Sequence, residues 1–154
     1  VLQEQFSRHQ RAVSLVMNDH YLRHLVQVYR LFEGDLVQAM VLGEVAHHNL
    51  SALRTDAPSL QELSARLQDP GEFRARLIPT NAFSIAQATG IPRETVRRKV
   101  AALVKKGWLF QDADANLIVT AQANAELGPG NLTVVGRILD LADDLQTLLV
   151  PSTE

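Results

Sequence analysis

The segment Asn81–Thr120, NAFSIAQATGIPRETVRRKVAALVKKGWLFQDADANLIVT, constrains the fold more than any other part of the chain. Asn81 offers a side-chain oxygen suited to capping a helix that carries Phe83, Ile85 and Ala86. Gly90 closes that helix, because the tight turn that follows needs a residue tolerant of positive φ. Ile91 suits the corner between two helices, and Pro92 suits the first position of the second. This second helix, residues 92–106, places Val96, Val100, Leu103 and Val104 on one face and ends at Gly107. Trp108-Leu109-Phe110, a polar loop from Gln111 to Asn116, and Leu117–Thr120 read as strand, loop and strand. Ile78–Thr80 is a candidate for a third short strand. Two short helices joined by a glycine-containing turn, with a hairpin behind them, mark 78–120 as one unit.

The second helix carries the chemistry. With Val96 inward and 100° per residue, Glu94, Arg98, Ala101 and Lys105 point outward, flanked by Thr95, Arg97 and Ala102. Residues 93–107 hold Arg93, Arg97, Arg98, Lys99, Lys105 and Lys106 against the single acid Glu94. The whole chain has a formal net charge of −2, which argues against nonspecific coating of nucleic acid. A basic stripe on an acidic body instead suits one defined docking surface for a polyanion. The plainer account of such a run is a solvated helix face. The outward side is basic near its N-terminus and small in the middle, which suits a helix entering a DNA major groove. Arg97 or Arg98 suits bidentate pairing with guanine, and Glu94 can accept from cytosine. Lys99, Lys105 and Lys106 suit phosphates, which position without reading sequence. The candidate DNA-binding set is therefore Arg93, Glu94, Thr95, Arg97, Arg98, Lys99 and Lys105.

Ile85-Ala86, the run Thr89-Gly90-Ile91-Pro92-Arg93-Glu94-Thr95-Val96-Arg97-Arg98, Leu103 and Gly107-Trp108-Leu109 closely resemble the winged helix-turn-helix of the MarR, IclR and GntR groups of bacterial transcription regulators. The resemblance covers about 40 of the 154 residues. It implies a regulator that binds double-stranded DNA, with the helices outside the wing serving dimerisation and the binding of a small-molecule effector. One departure is plain. The loop at the wing tip holds Asp112 and Asp114 and no basic residue, so it should repel phosphates. That acidic tip and the net charge favour an alternative, a winged helix serving as a protein–protein interaction module without DNA binding.

The fold class is mainly α with a small β-hairpin: a winged helix-turn-helix with flanking N- and C-terminal helices. Residues 1–77 form a helical scaffold and dimerisation region, 78–120 the DNA-binding unit, and 121–154 further helices for dimerisation. Residues 3–32 read as one long helix, or two with a bend, from the spacing of Val13, Val16, Met17, Tyr21, Leu22, Leu25, Val28 and Tyr29. Gly34 stops it and Asp35 caps a helix from Leu36 to Leu50 that is apolar around most of its circumference, and so should be buried. Ser59, with Glu62 at capping-box distance, starts a short helix through Leu67. Asp69-Pro70-Gly71 breaks the chain before a helical turn over Glu72–Leu77. A short helix over Ala121–Leu127 closes at Gly128-Pro129-Gly130. Asn131 then caps a last helix to Leu149, and Pro151 ends the order. That last helix shows a stripe of Val135, Ile138, Leu139, Ala142, Leu145 and Leu149, with Asp140, Asp143 and Asp144 off it. Two such terminal stripes suit a homodimer interface; the competing expectation is that they pack on each other within one chain.

With hydrophobic residues at 46% the chain can build a core, and with aromatics at 5% that core is aliphatic. The absence of cysteine excludes disulfides, thiolate metal sites and cysteine nucleophiles. No apolar run reaches membrane-spanning length, and nothing from Val1 onward reads as a secretory signal, so a cytoplasmic protein without membrane partners is expected. There is no Gly-rich phosphate loop, nucleophile elbow or HExxH motif, so neither enzyme activity nor a cofactor is expected. His20 and His24 lie four apart on a helix face that can chelate a metal, with His47, His48 and Glu44 as further ligands. The pair alone is a weak motif, and ordinary surface or interface histidines are the expectation.

Overall fold

The computed structural model describes residues 2–150. It is mainly helical with one small antiparallel sheet. The elements in order are α1 (Leu2–Leu31), α2 (Leu36–Asp56), α3 (Leu60–Gln68), α4 (Pro70–Ala75), α5 (Ala82–Thr89), α6 (Arg93–Lys105), β1 (Leu109–Gln111), β2 (Leu117–Val119), α7 (Ala121–Leu127), a 3-10 turn (Gly128–Gly130) and α8 (Asn131–Leu149). They form two compact units. One runs from Asp35 to Glu126; the other joins the residues up to Gly34 with those from Leu127 onward. The boundary expected between 77 and 78 thus falls inside the first of these units.

In the Asp35–Glu126 unit the chain folds around α2. The Asp35 carboxylate accepts the Gln38 amide at 2.9 Å and so caps the helix. The helix runs past the expected end at Leu50, because nothing from Ser51 to Asp56 interrupts it. It stops where Pro58 drives Ala57 into extended backbone, ψ 122°. Val41, Leu42, Val45 and Leu53 are buried against α5, α6 and β2. The all-round burial expected for this helix does not hold. Met40 is exposed, and the buried face includes the polar Gln38 and Asn49.

Asn49 explains how the hairpin attaches. It is fully buried, and its Nδ2 donates to the carbonyls of Ile78 (2.8 Å) and Leu117 (3.1 Å). Its Oδ1 accepts the amide of Val119 at 2.8 Å. One side chain therefore satisfies three backbone groups of two segments. The third strand expected at 78–80 shrinks to a single bridge between Thr80 and Leu117. Pro79 has no N–H with which to extend a ladder. Ser59 caps α3 by accepting the Glu62 amide, and Asp69 caps α4 with Pro70 in its first turn.

In the other unit α1 is one continuous helix from Leu2 to Leu31, not two, and it packs along α8. The Gln27 side chain donates to the Gly130 carbonyl at 3.1 Å and accepts from the Arg137 guanidinium. Asn131 does not cap α8 as expected. Gly130 (φ −66°, ψ −21°) and Asn131 (φ −67°, ψ −28°) are already helical, so the 3-10 turn runs straight into the helix. The expected stop at Pro151 lies outside the described residues. Val134, Arg137, Leu141, Leu145 and Leu148 are half-buried, whereas Val135, Ile138 and Leu139 are exposed. The expected stripe is thus split between two faces. Among the described residues no helix is long and apolar enough to cross a membrane.

Candidate nucleic-acid interface

The outward face of α6 is set by how its inward face is held. Asn81 caps α5 by accepting the amides of Phe83 and Ser84, both at 3.0 Å. Gly90 ends the helix in the left-handed region, φ +71°, as the turn requires. Pro92 sits one position before its expected place. It stands at the cap, and its carbonyl accepts the Val96 amide at 3.0 Å. Val96, Val100 and Leu103 are buried, and Ile85 of α5 meets them in the same core. Val104, expected on this face, lies at its edge and is exposed. Gly107 ends α6 at φ +77°, in the left-handed region that favours glycine.

With that side fixed, Arg93, Glu94, Arg97, Arg98, Ala101 and Lys105 are exposed, and Thr95 and Ala102 are half-buried. These are the orientations expected from helical spacing. The cations, however, are not equivalent. Arg97 lies 3.3 Å from Glu94 in an exposed pair. The Arg93 guanidinium carbon lies over the Phe83 ring, 5.6 Å from its centroid. Arg98 and Lys105 have no hydrogen-bond or ion-pair partner among the described residues.

Lys99 departs from the expectation of a phosphate contact. Its Nζ lies 2.5 Å from Asp35 Oδ2, and its side chain is only 19% exposed. Burial raises the Asp35 pKa, but the hydrogen bonds from Lys99 and the Gln38 amide, with the charges of Lys99 and Arg98, bring it below the usual carboxylate value. Lys99 therefore ties α6 to the N-terminus of α2. Lys106 lies over the Trp108 ring, 4.9 Å from its centroid, and the Trp108 indole donates to Glu126 at 2.8 Å. That leaves Arg93, Arg97, Arg98 and Lys105 as the outward cations of the helix.

The hairpin behind α6 pairs Leu109 with Val119 and Gln111 with Leu117. Gln111, placed in the loop by its polarity, is thus in the strand. At the tip Asp112 accepts the amides of Asp114 (2.9 Å) and Asn116 (2.8 Å) and the Asn116 side chain (2.9 Å). These bonds, with the Asn116 side chain contributing most, hold the Asp112 pKa below its usual value. Asp112 is therefore the structural cap of the loop, and Asp114 is its free acid. No signal in the sequence separated the two.

Elsewhere, His20 and His24 lie on α1, each with a buried Nδ1 that lacks a hydrogen-bond partner. Among the described residues no group of three or more metal-ligating side chains comes together. Comparison with known protein families, with characterised proteins and with solved structures yields no match.

Proposed function

We propose that the chain is a sequence-specific double-stranded DNA-binding transcription regulator, with a winged helix-turn-helix in which α6 enters the major groove. The observation that carries this reading is the outward face of α6. It bears four exposed cations around small alanines, on a helix whose opposite face is locked into a core. A polyanion meets positive charge there, and Ala101 leaves room for close approach. Arg98 stands free for a base edge, and Lys105 for a phosphate. Fluorescence anisotropy with duplex DNA at several salt concentrations tests this. Binding whose logarithm falls linearly with the logarithm of salt supports it. No binding at low salt overturns it.

The regulator works as a homodimer through the faces of α1 and α8 that carry Tyr21, Leu25, Ile138 and Leu139, all exposed in the single chain. Two copies of α6 double the contacts on a palindromic site. A second reading, a winged helix that binds protein, is favoured by Asp114 at the hairpin tip and by the neutralisation of Lys99. The same titration separates the two.

A further inference from the structure

The three arginines at the start of α6 are held in chemically different ways. Arg97 is paired with a carboxylate, Glu94, at 3.3 Å, so its charge is partly answered within the helix. Arg98 has no hydrogen-bond or ion-pair partner among the described residues, although its charge helps to lower the Asp35 pKa. Arg93 is held by an uncharged partner: its guanidinium carbon lies 5.6 Å from the centroid of the Phe83 ring. Phe83 sits in the first turn of α5 with 49% of its surface exposed, a large aromatic that contributes little to the core. The Asn81 cap fixes that turn through the Phe83 amide itself.

A phenyl ring orients a guanidinium through its face and leaves the N–H donors along the edge unused. It also leaves the charge intact, which a carboxylate does not. Stacking restricts a side chain that otherwise loses rotamer entropy when it binds. We infer that Phe83 is a positioning residue for DNA recognition: it holds Arg93 edge-outward at the N-terminus of α6, ready for a bidentate contact with a phosphate or a guanine. The inference rests on the DNA-binding reading above. It makes Arg93, and not only the unpaired Arg98, a preorganised contact of this surface, and it brings an α5 side chain into recognition without a polar group of its own.

The test has two arms on the full chain. In the free protein, the Arg93 Nε–Hε NMR resonance should carry an upfield ring-current shift that disappears in F83L and persists in F83Y. In duplex titrations, F83L should weaken binding about two- to fivefold, the range of an exposed cation–π contact. F83Y should restore affinity, and R93K, which keeps the charge but loses the planar fork, should behave like F83L. On an R93A background, F83L should have no further effect. An equal loss from F83L with and without Arg93 would mean that Phe83 acts on its own and would overturn the inference. So would unchanged affinity in F83L, or a missing ring-current shift. Wild-type protein that binds no duplex sinks the DNA reading instead, and the NMR arm then decides the Phe83–Arg93 pairing alone.

Discussion

The Asp35–Glu126 unit and the α1–α8 pair treat apolar side chains in opposite ways. In the first, Leu53, Ile85, Val96, Leu103 and Leu117 are withdrawn from water, and Asn49 bonds three of the backbone groups enclosed with them. In the second, Val13 and Phe32 are the buried apolar residues among those described, and Leu15, Tyr21, Leu25, Ile138 and Leu139 are exposed. Helical spacing is equally regular in both. The difference shows that equal helical spacing does not bring equal burial: the Asp35–Glu126 unit encloses most of its apolar stripes, and the α1–α8 pair leaves large apolar side chains exposed.

The largest expected effects fall in the closed unit. Asn49→Ala strands the Ile78 carbonyl and the Val119 amide without partners, and should cost about 2–5 kcal/mol of unfolding free energy. Leu103→Ala, which opens a hole under α6, should cost a similar ~2–5 kcal/mol. Urea denaturation monitored by Trp108 fluorescence measures both. If either variant stays within about 0.5 kcal/mol of wild type, the contrast between closed and open units is wrong.

The open unit should show the reverse: little effect on folding and a large one on assembly. Ile138→Asp with Leu139→Asp, both exposed in the single chain, should convert a dimer to a monomer in light scattering at micromolar concentration, and operator affinity should fall with it. A wild-type monomer mass removes the dimer. A dimer indifferent to these changes moves the interface to other residues. Within the proposed recognition face, Arg98→Ala should cost ~1–3 kcal/mol on a specific site, and Lys105→Ala should lower the salt slope by about one. Lys99→Ala should leave that slope unchanged, because Lys99 already faces Asp35 at 2.5 Å.

That last contrast marks how far the sequence could be read. The helix-turn-helix-hairpin order over 81–120 was legible because each boundary has its own local chemistry: Asn81 as cap, Gly90 and Gly107 at positive φ, and two short apolar runs on either side of a polar loop. The orientation of α6 followed from one inward residue, Val96. Lys99, by contrast, looked like its neighbours, since its partner lies 64 residues away. Phe83 and Arg93 are likewise joined only by the fold. Asn49 left a trace, at the same four-residue spacing as Val41, Val45 and Leu53, but ending the helix at Leu50 cut that series short. Polar residues inside an apolar stripe are the signal to follow in such a case.

The Lys99–Asp35 tie carries a pH signature. Asp35 has a folded-state pKa below its unfolded value, so the stability it contributes is present above the unfolded pKa of about 4 and is lost as pH falls through the folded one. Asp35→Asn keeps an acceptor for the Gln38 amide and removes the charge. It should therefore lower stability at pH 7, and the deficit should shrink as pH drops below about 4. Denaturation curves at pH 7, 5 and 3 measure this. A deficit that does not change with pH would show that the ion pair contributes nothing beyond the cap.

The smallest effects belong to the hairpin tip, and there the two acids should separate. Asp114 is exposed and its carboxylate holds no bond that shapes the loop, so Asp114→Asn should leave duplex affinity unchanged or raise it up to about twofold, by removing like charge near phosphate. Asp112 accepts three hydrogen bonds within the loop. Asp112→Asn retains an amide oxygen for the two backbone donors, so its effect on binding should also be small. Asp112→Ala has no acceptor, and the turn around Ala115, at φ +63°, then lacks the side chain that closes it. Amide exchange at Asp114 and Asn116 should quicken in Asp112→Ala and stay as in the wild type in Asp114→Asn. Because the Asp112 pKa is held down by those bonds, wild-type protection should persist above pH 4 and fade as the pH drops below it. A marked loss of DNA affinity in Asp114→Asn would reverse the assignment, making the free acid a contact rather than a repulsion. It would also place the hairpin tip on the DNA.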